Sequence, residues 1–161
     1  NPNLRTMKII STNKRVLHDY EVIEKYTAGL VLKWYEVKSI KSGYVNITNA
    51  WVKVRMDGTA WIENIDIPLY KKASLAQIGN YEQKWPRQLL LSKPEIRKLA
   101  ERTHKTGYTL KIIDIFINHR RYIKITVGLV KLMKKVDKKT ILKEKDQIRD
   151  ADREIRNIVF K

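Results

Sequence analysis

The sequence predicts a small, mainly β domain with inserted helices, folded as a closed or partly open barrel and followed by a basic tail. Three observations lead there. Runs rich in β-branched and aromatic residues recur between Gly, Pro and Asn-containing breaks. No strand–helix alternation of about 30 residues repeats, which argues against a doubly wound parallel sheet. The end of the chain, KKVDKKTILKEKDQIRDADREIRNIVFK, mixes basic and acidic residues without Pro or Gly.

The elements follow in order. Tyr20 to Lys33 reads as a strand, with Gly29 marking a bulge or bend. YEVKSIKSG has helical spacing, with Val37, Ile40 and Tyr44 on one face and Gly43 as the stop. YVNITNAWVKVRM alternates as a strand. Asp57–Gly58 then predicts a type I′ hairpin turn into TAWIENIDI. Residues 68–86 read as a long excursion with one helical turn, and RQLLL as a short strand. In SKPEIRKLAERTHKTG, Ser92 caps a helix, Glu95 completes the box, Pro94 lies in the first turn and Gly107 ends it. YTLKIIDIFI and YIKITVGLV are two more strands joined by NHRR, with Ile123, Ile125 and Val127 facing inward. The total is six strands. Oligonucleotide-binding (OB-like) barrels have this layout and hold RNA on an exposed strand face and loops. We divide the chain into an arm at 1–12, a barrel at 13–130 and a tail at 131–161.

Charge points to the partner. Lys and Arg number 34 against 17 Asp and Glu, a formal +17. The tail carries a net +5 and the rest +12, so the body itself is basic. Such a protein seeks polyanions: RNA in a ribosomal setting first, an anionic membrane surface second. No run approaches the ~18 apolar residues of a membrane span, and the first residues lack the apolar stretch of a secretory signal.

Catalytic and metal signatures are weak. There is no Cys, hence no thiolate, and His18, His104 and His119 lack metal-ligand spacing. Carboxylates such as Glu24, Glu36 and Glu63 read as members of surface ion pairs. Neither enzyme activity nor a metal or cofactor is expected. Binding features are stronger. NKRVLHDY gathers Asn13, Lys14, Arg15, His18 and Tyr20, which supply phosphate contacts, a hydrogen-bonding ring and a stacking ring. The alternative is a solvated arm whose Tyr begins the core. Lys38 and Lys41 point outward from the predicted helix, where they could meet phosphates, although an ordinary solvated helical face is the favoured reading. NHRRY is a basic turn of the kind that is usually just solvated, though such tips are favoured contact sites.

A family resemblance now enters. NKR…HDY…IE…AGL, EVKS, the G..NI of Gly43–Ile47, WV at 51–52, RQLLL and GYT occur in one order and nearly ungapped. Over about residues 12–145 the chain resembles the small protein B (SmpB) family, bacterial SsrA-binding proteins that bind transfer-messenger RNA. The resemblance implies an OB-like barrel that holds the tRNA-like domain of that RNA. The pair enters the A site of a stalled ribosome, and the unfinished peptide is tagged for proteolysis (trans-translation). It also implies a monomer in the bacterial cytoplasm, with no catalytic residues and no cofactor. The RNA-binding candidates are Asn13, Lys14, Arg15, His18, Tyr20, Lys38, Leu90, Leu91, Ser92 and Lys124. Thr27 stands where the family has an acidic residue, and Ser92 where Asn is frequent. A generic ribosome-associated RNA-binding barrel is the competing function, and a membrane-surface protein a second.

The resemblance also assigns the tail to the mRNA channel near the decoding centre, helical when bound. Its candidates are Lys131, Lys134, Lys135, Asp137, Lys138, Lys139, Lys143 and Lys145. Leu132 replaces a common Gly, and Lys139 an Arg whose bidentate fork is lost. The residues agree with this behaviour. Ile141, Ile148 and Ile155 recur every seven residues, a stripe too narrow to hold an isolated helix in water. Phosphates would offset the ordering entropy. The alternative is a helix docked on the barrel or paired as a coiled coil.

Overall fold

The computed structural model describes residues 7–104 and 107–133, with Lys143, Lys145 and Arg149 described singly. Its strands are β1 (Lys8–Thr12), β2 (Tyr20–Leu30), β3 (Trp51–Val54), β4 (Ala60–Glu63), β5 (Arg87–Leu90), β6 (Tyr108–Ile117) and β7 (Ile123–Leu132). Its helices are α1 (Lys14–Asp19), α2 (Trp34–Lys41), α3 (Leu75–Ile78) and α4 (Lys93–Thr103). Every pairing is antiparallel, in the order β1-β6-β3-β4-β5-β2-β7, and β7 pairs back onto β6. Six strands thus form a ring, and β1 shares the outer edge of β6 with β3. The closed ring removes most of the sheet edge that would otherwise template aggregation.

Inside the ring, Ile112, Ile115, Ile125, Val127 and Leu129 meet Ile62, Leu89 and Ala28, all fully buried or nearly so. Ile40 of α2 and Leu99 of α4 close the core. Burying one such side chain is worth about 1.5–3 kcal/mol, so these contacts supply most of the driving force.

Five expectations need correction. The barrel does not end at residue 130: β7 runs on to Leu132, and Lys131, expected in the tail, pairs with Glu21 of β2 and Tyr108 of β6. The described residues contain seven strands, because Lys8–Thr12 is not an arm but β1, paired with the end of β6. Its β-branched KII run was the available signal. Residues 44–56 are not one strand. Val45, Ile47, Ala50 and Val52 are all buried, which strict alternation forbids between 47 and 50. A turn resolves this: the Ala50 N–H donates to the Ile47 carbonyl at 3.1 Å, and the Thr48 N–H to Asn46 Oδ1 at 2.9 Å. The β3–β4 hairpin forms, but not through a type I′ turn. Gly58 alone of the Asp57–Gly58 pair has positive φ (84°), Gly58 N–H donates to Arg55 O, and Arg55 N–H to Thr59 O. That is a three-residue loop with its glycine in the left-handed position. Finally, the register shift of β2 falls between Val22 and Glu24 rather than at Gly29.

Other expectations hold. The Ser92–Glu95 box starts α4, and α2 ends before Gly43, although Tyr44 is exposed rather than on its buried face. Residues 68–86 carry one helical turn, α3, and are tied down from beneath. Arg87 is buried and pairs with buried Glu36 of α2 at 2.7 Å. Its guanidinium also donates to the carbonyls of Ile65, Gln83 and Trp85 and to the Tyr81 hydroxyl. With its donors so used, the buried cation meets the condition for a tolerable desolvation cost.

Candidate nucleic-acid interface

The β2–β7 ladder runs from Tyr20 opposite Leu132 to Gly29 opposite Lys124. At about 3.3 Å per residue its ends lie roughly 30 Å apart. The sequence-predicted RNA contacts divide between these ends.

At the Tyr20 end, Asn13 caps α1 by accepting from the Val16 N–H at 3.2 Å. Its Nδ2 donates to the carbonyls of Ile47 and Thr48 at 3.2 Å and of Ile112 at 3.0 Å. Asn13 is 2% exposed. Its expected role as an RNA contact is therefore corrected: every polar atom of the side chain is engaged in pinning α1 to the barrel. Lys14, Arg15 and His18 stay exposed on α1. Asp19 lies 2.9 Å from His18 Nδ1 and 4.0 Å from Arg15 Nε, which orients both. Tyr20 is half-buried, with Lys111 Nζ 6.0 Å from its ring centre, and exposed Lys131 lies at the same distance from the Tyr108 ring. Lys145 lines a depression here with Leu17, Tyr20 and Glu21, and Lys143 is exposed. Lys134, Lys135, Asp137, Lys138 and Lys139 lie outside the described residues.

Midway, the ladder is closed by acid–base contacts. The Tyr26 hydroxyl donates to Glu24, and Arg102 of α4 reaches the same carboxylate at 2.5 Å. The hydroxyl bond, then Arg102, hold the Glu24 carboxyl below the usual carboxylate range, against the opposing effect of burial. Burial first, and that carboxylate second, push Tyr26 up to about 12.

At the Gly29 end the structure assembles a groove. Leu90 on β5 and Lys124 on β7 both pair with Gly29 across the sheet. A Cβ on Gly29 would sit 3.3 Å from both Leu90 Cβ and Lys124 Nζ, a tight contact that glycine avoids. Lys41, Arg121 and Tyr122 join Leu32 and Val37 in the lining. Leu90 is 56% exposed and Tyr122 64% exposed, large apolar surfaces beside three cations. The turn carrying Arg121 and Tyr122 is fixed by Asn118, whose Oδ1 accepts from the N–H groups of Arg120 and Tyr122. Arg121 is held at φ 71°, a left-handed strain of about 1–2 kcal/mol for a side-chain-bearing residue.

Three other candidates are placed apart from this groove. Leu91 is half-buried and packs on the core. The Ser92 hydroxyl is occupied by Glu95 in the helix cap, although the residue is exposed. Lys38 is exposed on α2, but it is Lys41, one turn on, that lines the groove. Sequence reasoning left Lys41, Arg121 and Tyr122 out of the site. EVKSIKSG and NHRRY held the signal, but nothing local shows that an α2 lysine and a β6–β7 turn converge. Among the described residues no group of three or more His, Asp or Glu is placed to hold a metal ion, and no helix is long and apolar enough to cross a membrane.

This arrangement offers lysines and arginine for phosphates and apolar and aromatic faces for bases and sugars, which is the chemistry of RNA recognition. Comparison with known proteins agrees. The family model described as SmpB protein matches residues 10–157. The SsrA-binding protein of Coprothermobacter proteolyticus is 39% identical over 148 residues, spanning 92% of this chain and 97% of that one. The SsrA-binding protein of Bacillus cereus is also 39% identical, over 93% of this chain and 94% of its own. A solved structure described as "tmRNA-SmpB: a journey to the center of the bacterial ribosome" superposes with a TM-score of 0.63 at 36% identity, covering 80% of this chain and 91% of that one. The chain belongs to the SmpB family.

Proposed function

We propose that the protein binds the tRNA-like domain of transfer-messenger RNA and delivers it to the A site of stalled ribosomes for trans-translation. Family membership supports this, as do relatives named SsrA-binding proteins. The observation that carries it in this chain is the convergence of Leu90 and Lys124 on Gly29, with Lys41, Arg121 and Tyr122 around them. Lys14, Arg15, His18 and Tyr20 form a second contact, about one ladder length away.

The role is that of a binding protein, not an enzyme: the ribosome performs the chemistry, in the bacterial cytoplasm. The tail after Met133, with Lys134, Lys135, Asp137, Lys138, Lys139, Lys143 and Lys145, occupies the mRNA channel and is dispensable for RNA capture. The test uses filter binding with ordinary tRNA as competitor. The intact protein prefers transfer-messenger RNA, and a chain ending at Met133 keeps that affinity within about twofold while losing peptide tagging. Equal loss of RNA affinity on truncation would contradict the division of labour.

A further inference from the structure

The exposed surface continues beyond the groove. Leu32 lines the groove on one side and, on the other, a second depression with Val31, Lys33, Tyr35, Trp61 and Trp85. Tyr35 and Trp85 of this depression belong to a series of rings that extends beyond it, Tyr81 and Trp85 lining the next depression with Leu75 and Glu82. Trp34 and Tyr35 meet edge-to-face at 5.5 Å, Tyr35 and Tyr81 at 5.4 Å, and Tyr81 and Trp85 at 5.8 Å. Its two ends are the open members: Trp34 is 56% exposed and Trp85 41% exposed. Large exposed apolar surface is a liability unless it is used.

The run is held rigid from below. The Tyr81 hydroxyl donates to the Ile67 carbonyl at 2.7 Å and accepts from Arg87. Arg87 also binds the Trp85 carbonyl and, through Glu36, clamps the segment bearing Tyr81 and Trp85 onto the helix bearing Trp34 and Tyr35. For stability alone, an apolar pair would serve as well as a buried ion pair. What this one adds is a fixed position for exposed rings. Exposed Lys33 lines the first depression, exposed Glu82 lines the second, and exposed Lys84 precedes Trp85 in the chain. Rings for stacking and lysines for phosphates suit unpaired RNA. Continuity with a basic groove favours RNA over an apolar protein partner.

We propose that the Trp34–Tyr35–Tyr81–Trp85 run is a stacking site for unpaired RNA bases, reached over Leu32 from the Gly29 groove. The proposal rests on the groove being an RNA site and adds the form of RNA beside it, single-stranded rather than folded. The full chain is titrated with labelled oligoadenylate of roughly 10 nucleotides, within the span of one such barrel, and separately with transfer-messenger RNA. In the Trp34→Ala/Trp85→Ala variant, oligoadenylate affinity falls about tenfold or more, and Trp34→Phe/Trp85→Phe restores it. Thermal melting checks that both fold. Three results would overturn the proposal: no oligoadenylate binding by the intact chain, unchanged binding in the alanine variant, or no rescue by Phe. Each would assign the rings to a protein partner or to packing. Leu90→Ala/Lys124→Ala is the separate arm: unchanged transfer-messenger RNA affinity there breaks the groove reading, whatever the tryptophan variants do.

Discussion

The two ends of the β2–β7 ladder treat their candidate residues in opposite ways. At the Tyr20 end the candidates are neighbours in sequence, and packing claimed part of them: Asn13 became a buried pin and Tyr20 half of a wall. At the Gly29 end the candidates came from separate strands, and the fold added Lys41, Arg121 and Tyr122 to them. A polar cluster that is local in sequence is available to the fold as well as to a ligand. A cluster assembled across strands has its positions set by the whole barrel, and here all of its side chains but the half-buried Lys124 stay exposed.

The sharpest way to break this contrast is Asn13→Ala. Losing the cap and three bonds to buried carbonyls should cost about 3 kcal/mol, read as a lower denaturation midpoint, while the folded fraction binds RNA within about twofold of the intact protein. A large affinity loss at full stability would return Asn13 to the contact list. Leu90→Ala/Lys124→Ala should do the reverse. Binding to transfer-messenger RNA weakens roughly 30-fold, about 2 kcal/mol, and the melting temperature moves little, because Leu90 is exposed, Lys124 is half-buried and neither belongs to the core cluster.

Arg121→Gly separates strain from function at one residue. Relief of the left-handed backbone, offset in part by glycine's freedom when unfolded, stabilises the fold by about 0.5 kcal/mol. RNA affinity falls roughly fivefold, since a groove cation is lost. A variant that gains neither stability nor loses affinity would remove Arg121 from the site. Lys14→Ala/His18→Ala, at exposed α1, should have a smaller effect of about threefold, and a shallower salt dependence by about one phosphate contact.

The weakest effect appears only in alkali. Tyr26, midway along the ladder, and Tyr81, beside the Gly29 end, have pKa values raised from 10 to about 12, each chiefly by burial. A raised pKa favours the neutral form in the folded state. The associated stability is complete below pH 10 and is lost as pH climbs toward 12. Tyrosinate absorbance in the folded protein should therefore show two late-titrating rings; a single transition near pH 10 would contradict this placement.

The barrel was legible because its core obeys simple periods. Ile123, Ile125 and Val127 face inward as read, and the Ser92–Glu95 box starts a helix where expected. What failed was local chemistry with more than one outcome. Asp57–Gly58 takes a three-residue loop because Asp57 Oδ1 accepts from both the N–H and hydroxyl of Thr59, leaving only the glycine left-handed. A six-residue helix such as α1 has too little periodicity to be seen, and β1 is too short to stand out from an arm. Half of the groove was legible, Leu90 and Lys124 through family resemblance. The other half depends on which strands become neighbours, which no local pattern encodes.

The most direct test compares the groove variant with the intact protein over a salt series, with transfer-messenger RNA and an unrelated polyanion as ligands. The account predicts that Leu90→Ala/Lys124→Ala erases most of the preference for transfer-messenger RNA while binding to the polyanion weakens only slightly. A variant that kept its full preference would show that recognition of the folded RNA lies elsewhere on the barrel.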